Sequence, residues 1–239
     1  IGSNIVKELL RRKERVRVLD NFATGKRENL VELMDNPNFE LIEGDLRSFH
    51  IVRNAVKGVD YILHQGALPS VPRSINDPIT TNDVNILGTL NILEAAKEFG
   101  VKRVVYASSS SVYGNSPALP KVESMPVQPL SPYALSKYAG ERYCQIYYKI
   151  FGLETVVLRY FNVFGPNQDP TSQYSAVIPK FIKLMKENEP PIIYGDGTQS
   201  RDFTYVANVV EANFLACNAH NSAGEVFNIG CGKRYTLLQ

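Results

Sequence analysis

The 239 residues include only three cysteines, Cys144, Cys217 and Cys231, an odd and scattered set with no metal-ligand spacing. No disulfide framework and no metal site are expected. The pattern fits ordinary thiols in a reducing, cytoplasmic compartment. No apolar run approaches the ~18 residues that would span a bilayer. Charge of neither sign dominates: 26 Lys and Arg stand against 24 Asp and Glu, a formal net charge of +2. Such a balance gives no reason to expect nucleic acid or a membrane surface as partner. The chain opens on Ile1-Gly2-Ser3-Asn4, with no Met, no signal-peptide pattern, and no strand or glycine fingerprint ahead of the first helix.

What is present is ordinary globular composition, 44% hydrophobic and 21% charged, arranged as alternating strand and helix. A helix is expected over Ser3–Arg12, with Ile5, Val6, Leu9 and Leu10 on one face. Strands are expected over Val16–Leu19, Phe39–Ile42, Tyr61–His64, Arg103–Tyr106 and Leu153–Leu158. Helices are expected over Asn54–Val56, Asn85–Phe99 and Tyr133–Phe151. Polar residues end four successive strands: Asp20, Asp45, Gln65-Gly66 and Ser108–Ser111. In open α/β sheets that edge is where ligands bind. His64 ends an apolar strand and reads as a packed histidine rather than a catalyst.

Asp20 lies 18 residues after Gly2, close to the spacing between a dinucleotide fingerprint and its ribose-binding acid. A carboxylate there accepts bonds from both ribose hydroxyls and repels a 2′-phosphate, which favours NAD; Lys26 and Arg27 nearby weaken that preference. Tyr133 and Lys137 form Tyr-x-x-x-Lys at a helix start, a spacing that puts both on one face. A phenol of pKa ~10 is a poor base at neutral pH. Lowering it three units takes roughly 4 kcal/mol, which a fixed ammonium in a partly dry site can supply.

Context gives this pair meaning. Ser109 lies 24 residues before Tyr133, and Asn85 opens Asn-x-x-Gly-Thr. The chain here resembles the extended branch of the short-chain dehydrogenase/reductase superfamily. Tyr106–Gly114, Leu130–Lys137, Leu158–Gly165 and Gly195–Asp202 together resemble nucleotide-sugar 4-epimerases. Ser70–Ser74 and Asn167–Pro170 are similar to the subgroup acting on UDP-N-acetylhexosamines.

The resemblance implies a Rossmann-type doubly wound parallel sheet, α/β in class, with a smaller α/β substrate lobe. Residues 1–165 would form the NAD-binding domain, with 196–220 returning to it; 166–195 and 221–239 would belong to the lobe. Ser109 would bond the sugar 4-hydroxyl, with Ser108 and Ser110 as neighbours that could share this role or simply cap the strand end, Tyr133 would take its proton, Lys137 would tune Tyr133, and Asn85 would play a structural part. NAD would be lined by Gly2, Asp20, Asn21, Phe22, Ala23, Thr24, Gly25, Asp45, Leu46, Gln65, Gly66 and Ala67, with Tyr133, Lys137 and Phe161 at the nicotinamide end. Asn162 and Arg201 would hold the diphosphate, and Ala176, Val177, Ile193 and Tyr194 the uridine. Without the motif, an ion pair between Arg201 and Asp202 would be the simpler expectation.

Related dehydratases carry Thr-Asp-Glu where this chain has Ser109-Ser110-Ser111. With no carboxylate there, water elimination lacks its acid and base. The implied reaction is NAD-dependent 4-epimerisation of a UDP-hexose (UDP-GlcNAc/UDP-GalNAc or UDP-glucose/UDP-galactose), by oxidation at C4 and re-reduction on the opposite face. Alternatives are a UDP-uronic acid 4-epimerase and a non-catalytic NAD-binding protein of the same fold. The helices from Asn85 and Tyr133 resemble those of a four-helix dimer interface, which implies a homodimer. The opening and the final Leu237-Leu238-Gln239 suggest a fragment without the first strand and the C-terminal end. Alone, such a fragment would fold poorly and not turn over.

Overall fold

A computed structural model describes residues 1–169, 177–193 and 195–239. Helix α1 (Gly2–Arg11) buries Ile5, Val6 and Leu10 and leads into strand β1 (Val16–Asp20). Strand β2 (Phe39–Glu43) pairs with β1 in parallel, from Val16 opposite Phe39 to Asp20 opposite Glu43. Helix α2 (Phe49–Val56) precedes strand β3 (Tyr61–His64). Two short helices, α3 (Val71–Asn76) and α4 (Pro78–Asn82), lead through a π-helical turn, Asp83–Leu87, into α5 (Gly88–Glu98).

Strand β4 (Arg103–Ser109) ends in a 3-10 turn, Ser110–Tyr113. The long helix α6 (Pro132–Phe151) and strand β5 (Glu154–Tyr160) follow. Strand β6 (Val163–Phe164), helix α7 (Val177–Lys186), strands β7 (Ser200–Arg201) and β8 (Thr204–Tyr205), helix α8 (Val206–Asn218), and strands β9 (Val226–Ile229) and β10 (Tyr235–Thr236) complete the order.

The central sheet is all parallel, in the order β3-β4-β5-β9. Helices cover both faces, as parallel sheets require. Alternation along β4 assigns the layers. Val104 and Tyr106 pack with Val52, Val56, Ile92, Leu93, Cys144 and Tyr147 of α2, α5 and α6. Val105 and Ala107 pack on the other side with Val209 and Ala216 of α8. Helix α1 joins that second layer through Ile5, against Val206, Val210 and Phe214.

Local chemistry sets the ends of α6. The Ser131 hydroxyl accepts from Ala134 N at 3.1 Å, Pro132 begins the helix, and Gly152 closes it in the left-handed region. Gly140 lets α6 approach the sheet: an added Cβ would lie 2.2 Å from the Tyr106 hydroxyl oxygen. Proximity here sets how near the face of α6 that carries Tyr133 and Lys137 comes to the end of β4.

The α/β class and parallel sheet expected from the sequence are present. One assignment is corrected. Residues 221–239 were expected wholly in the substrate lobe, but Val226–Ile229 forms β9 and extends the central sheet beside β5. Its alternating pattern matches the strand beside it, and Glu225 O already accepts from Val157 N at 3.0 Å. The helix expected over Asn54–Val56 begins at Phe49, because Val52 and Val56 both turn into the core. The helix expected from Asn85 starts as the π-helical turn. Among the described residues no helix is long and apolar enough to cross a membrane.

Candidate active site

Strand β4 delivers Ser108 and Ser109 to the carboxyl edge of the sheet, and α6 runs back across them. Ser109 Oγ accepts from Ser111 N at 3.2 Å, and its hydroxyl is near enough to the Tyr133 phenol to favour the phenolate. Burial pushes the Tyr133 phenol above its ordinary value, and the Ser109 hydroxyl offsets part of that rise. The lowered phenol anticipated from the Tyr-x-x-x-Lys spacing is thus not a property of these residues alone.

Lys137, one turn further along α6, is buried and donates to Ala107 O at 2.8 Å. Burial lowers its ammonium to about 8, and the nearby Glu141 carboxylate opposes that fall. Its Nζ lies 5.1 Å from the Tyr106 ring centroid. The site therefore holds a cation close to the point where it loses its charge, one helical turn from the phenol.

Asn85 fixes this arrangement from the π-helical turn, a backbone form enriched at functional sites. Its side-chain oxygen accepts from Leu68 N at 2.8 Å. Its amide donates to Leu68 O at 3.2 Å and to Ser136 Oγ at 2.9 Å. Ser136 in turn donates to Tyr133 O at 2.8 Å. The structural part expected of Asn85 thus has a definite form: it ties the loop after β3 to the first turn of α6.

His64 is packed, as its sequence position suggested. Thr89 Oγ1 donates to Asn85 O at 2.6 Å, so its 2.9 Å contact with His64 Nε2 is best satisfied by an Nε2–H donor. Burial first, and the Lys137 charge second, pull His64 down to about 3. The unfolded chain therefore takes up this proton first as pH falls, and the folded state loses stability between about 6.5 and about 3. Unfolding free energy should drop by ~2–3 kcal/mol from this group between pH 7 and pH 4.5. Denaturant titrations at the two pH values should show the loss, and His64→Gln should flatten it; an equal acid sensitivity in the variant would contradict this account.

A network that the sequence reading missed lies directly beneath Ser108. Ser108 Oγ donates to Glu141 Oε1 at 2.5 Å. Glu141 pairs with Arg159 through Nε–Oε1 at 2.9 Å and Nη2–Oε2 at 2.7 Å, with both side chains almost wholly buried. Arg159 Nη1 donates to the Tyr113 hydroxyl at 2.8 Å, and that hydroxyl donates to Asn228 Oδ1 at 2.7 Å. Two signals were in the sequence: Glu141 continues the four-residue spacing of Tyr133 and Lys137, and Arg159 interrupts the apolar run Val156–Tyr160.

All twelve residues from Gly2 to Ala67 assigned to NAD line one gap of about 1310 Å³ that runs the length of β1 and β3, between the β1–β2 pair and the four-stranded sheet. Asp20 Oδ1 accepts from Phe22 N at 2.8 Å, and Phe22 turns there at a positive φ of 54°. An added Cβ at Gly25 would lie 3.2 Å from Asp20 Oδ2, and one at Gly66 would lie 2.7 Å from Leu46 Cδ1. Backbone thus comes close to the cleft where side chains would fill it. Asn21 Nδ2 donates to Asp45 Oδ2 at 2.9 Å, and Arg47 holds the Asp45 carboxyl well below the usual carboxylate range. Lys26 and Arg27, expected to weaken a preference for NAD, are paired with Asp169 (3.2 Å) and Glu43. The residues present fit a dinucleotide with free ribose hydroxyls. Phe161 does not line this cleft; its ring stands 6.4 Å from that of Tyr113.

Asn162, Val177 and Arg201 meet around a separate cavity of about 270 Å³, with Phe164, Phe203 and Leu237. Arg201 is exposed and donates to Ser200 O at 2.9 Å. It does not pair with Asp202, whose carboxylate accepts from Cys231 N and Gly232 N at 2.9 and 2.8 Å. Ile193 stands outside that lining, near Gly197. Ala176 and Tyr194 lie outside the described residues.

A parallel sheet covered by helices on both faces, with a Ser–Tyr–Lys set at its carboxyl edge, defines a Rossmann-type protein of the short-chain dehydrogenase/reductase class. Residues 1–230 match the NAD dependent epimerase/dehydratase family, and the chain belongs to that family. It is similar in structure to the UDP-N-acetylglucosamine 4-epimerase of Methanobrevibacter ruminantium M1, solved in complex with UDP-N-acetylmuramic acid. The TM-score is 0.94 and the identity 42%, over 99% of this chain and 75% of that one. The UDP-glucose 4-epimerase of Thermotoga maritima, solved with UDP-glucose, gives a TM-score of 0.92 and 36% identity over 100% and 76%. In sequence, the UDP-glucose 4-epimerase of Mycolicibacterium smegmatis is 37% identical over 97% of this chain and 74% of that protein.

Proposed function

We propose that this chain carries the acid–base chemistry of an NAD-dependent UDP-hexose 4-epimerase, acting on UDP-GlcNAc/UDP-GalNAc or UDP-glucose/UDP-galactose. The observation that carries this reading is the placement of Ser109 at the carboxyl end of β4 against the helix that bears Tyr133 and, one turn on, a buried Lys137 ammonium bonded to Ala107 O. Bound NAD supplies the two-electron exchange at C4. The chain's own residues handle the proton. Tyr133 removes it from the 4-hydroxyl, Ser109 holds that oxygen in line, and Lys137 favours the phenolate by its charge. The same phenol returns the proton once the sugar presents its other face. Asn85 keeps the first turn of α6 in place for both halves of the cycle.

Asp20 and its neighbours through Gly25 would hold the adenosine end of NAD, with Asp45, Leu46 and Gln65–Ala67 across the cleft. Arg201 and Asn162 would hold the diphosphate, for which a forked, exposed guanidinium is suited, with Val177 and Ile193 toward the uridine. Dehydration is disfavoured because Ser110 and Ser111 offer no carboxylate, and because Glu141, the acid that touches Ser108, is committed to Arg159. Exposed Leu87 and Leu135, at the start of α5 and on α6, support a homodimer through these helices.

NMR assays with UDP-glucose, UDP-GlcNAc and UDP-glucuronate side by side test the reading. Interconversion at C4 of UDP-glucose or UDP-GlcNAc, with no net change in NADH, is the expected result; turnover of UDP-glucuronate alone would replace it with the uronic-acid reading. Stoichiometric NADH accumulation, or loss of water to a 4-keto-6-deoxy sugar, would overturn it.

A further inference from the structure

We propose that Glu141 and Arg159 are positioning residues, which clamp the end of β4, and so Ser109, to the helix face that carries Tyr133 and Lys137. The inference rests on the reading of those three residues given above. Tyr133, Lys137 and Glu141 follow at four-residue intervals on α6, so their side chains stack along one face. Glu141 touches β4 through Ser108, the residue before Ser109. Arg159 stands opposite Ser108 in the β4–β5 register and closes a fork on the same carboxylate. Its remaining bond runs through Tyr113, just past the serine turn, to Asn228 on β9. One carboxylate on the helix thus sets the relative position of two adjacent strand ends and the turn that bears the serines.

Stability is a poor reason for such a pair. Well-packed apolar residues in its place are often as stable or more so, whereas a hydrogen-bonded charge pair allows one geometry. That geometry sits where small errors count: a misplacement of ~1 Å at a reacting centre can cost ~10²-fold in rate. The carboxylate also supports the Lys137 charge. The groups facing Lys137 are His64 from β3, Tyr106 from β4, and Glu141 and Cys144 on its own helix. Of these only Glu141 brings a full negative charge.

Ser108→Ala and Glu141→Gln in the NAD-loaded enzyme test the clamp, with kcat, KM, the pH profile, NAD content and Tm read on UDP-glucose or whichever UDP-hexose the parent turns over. Ser108→Ala should keep its fold and lose kcat about tenfold, with KM and NAD content unchanged. Glu141→Gln should lose more, and its alkaline limb should move to lower pH because Lys137 loses its supporting charge. Parental kcat and pH profile in both variants would overturn the clamp. If Glu141→Gln does not fold, Ser108→Ala decides alone. Tyr133→Phe separates the two levels: if it is inactive while Ser108→Ala is parental, only the clamp fails; if it is active, the reading beneath fails as well.

Discussion

Tyr133→Phe, which removes one oxygen, should cut epimerase turnover by about 10²–10⁴-fold, the range set by a positioned general base. The loss should fall on kcat. Ser109 keeps its bond to Ser111 N, Lys137 keeps its bond to Ala107 O, and Asn85 still reaches Ser136, so nothing else in the site depends on the phenol oxygen. The cleft lined by Asp20, Asp45 and Gln65–Ala67 does not include Tyr133. NAD retained per chain, measured after denaturation, should therefore match the parent. A variant that turns over near the parental rate would remove Tyr133 from the chemistry. A variant that loses NAD as well would mean that the phenol binds more than it catalyses.

The largest effect on stability is expected at Arg159. Replacing it with Leu leaves the Glu141 carboxylate in the core with only the Ser108 hydroxyl as partner. Breaking a buried pair in this way typically costs about 3–5 kcal/mol, far more than the pair itself contributes over an apolar substitute. The Arg159→Leu chain should therefore lose that much in denaturant unfolding. A companion that also carries Glu141→Leu should recover most of it, because no buried charge remains to be compensated. A loss below ~1 kcal/mol in the single variant would show that water or a neighbour reaches the carboxylate.

These two predictions draw on different parts of the sequence. Ser109, Tyr133, Lys137 and Asn85 were legible because their spacing is local to one strand end or one helix turn. Asp20, Asp45 and Gln65-Gly66 were legible because strand periodicity ends at each of them. Glu141 and Arg159 were not. A charged residue normally marks a solvated face, and nothing in a one-dimensional pattern says that two charges 18 residues apart face each other inside the core. Residues Val226–Ile229 misled for a different reason. Four alternating residues fit the edge of either lobe, and only the ladder to β5 decides between them. Arg201 does not pair with its neighbour, since backbone amides of Cys231 and Gly232 occupy Asp202.

The side chain of Asn85 joins partners 17 and 51 residues away in the chain. Contacts of that range cannot form while any of the three segments is undocked, and they close late because loop entropy must be overcome first. Docking of the loop after β3 and the position of the first turn of α6 are therefore coupled through one side chain.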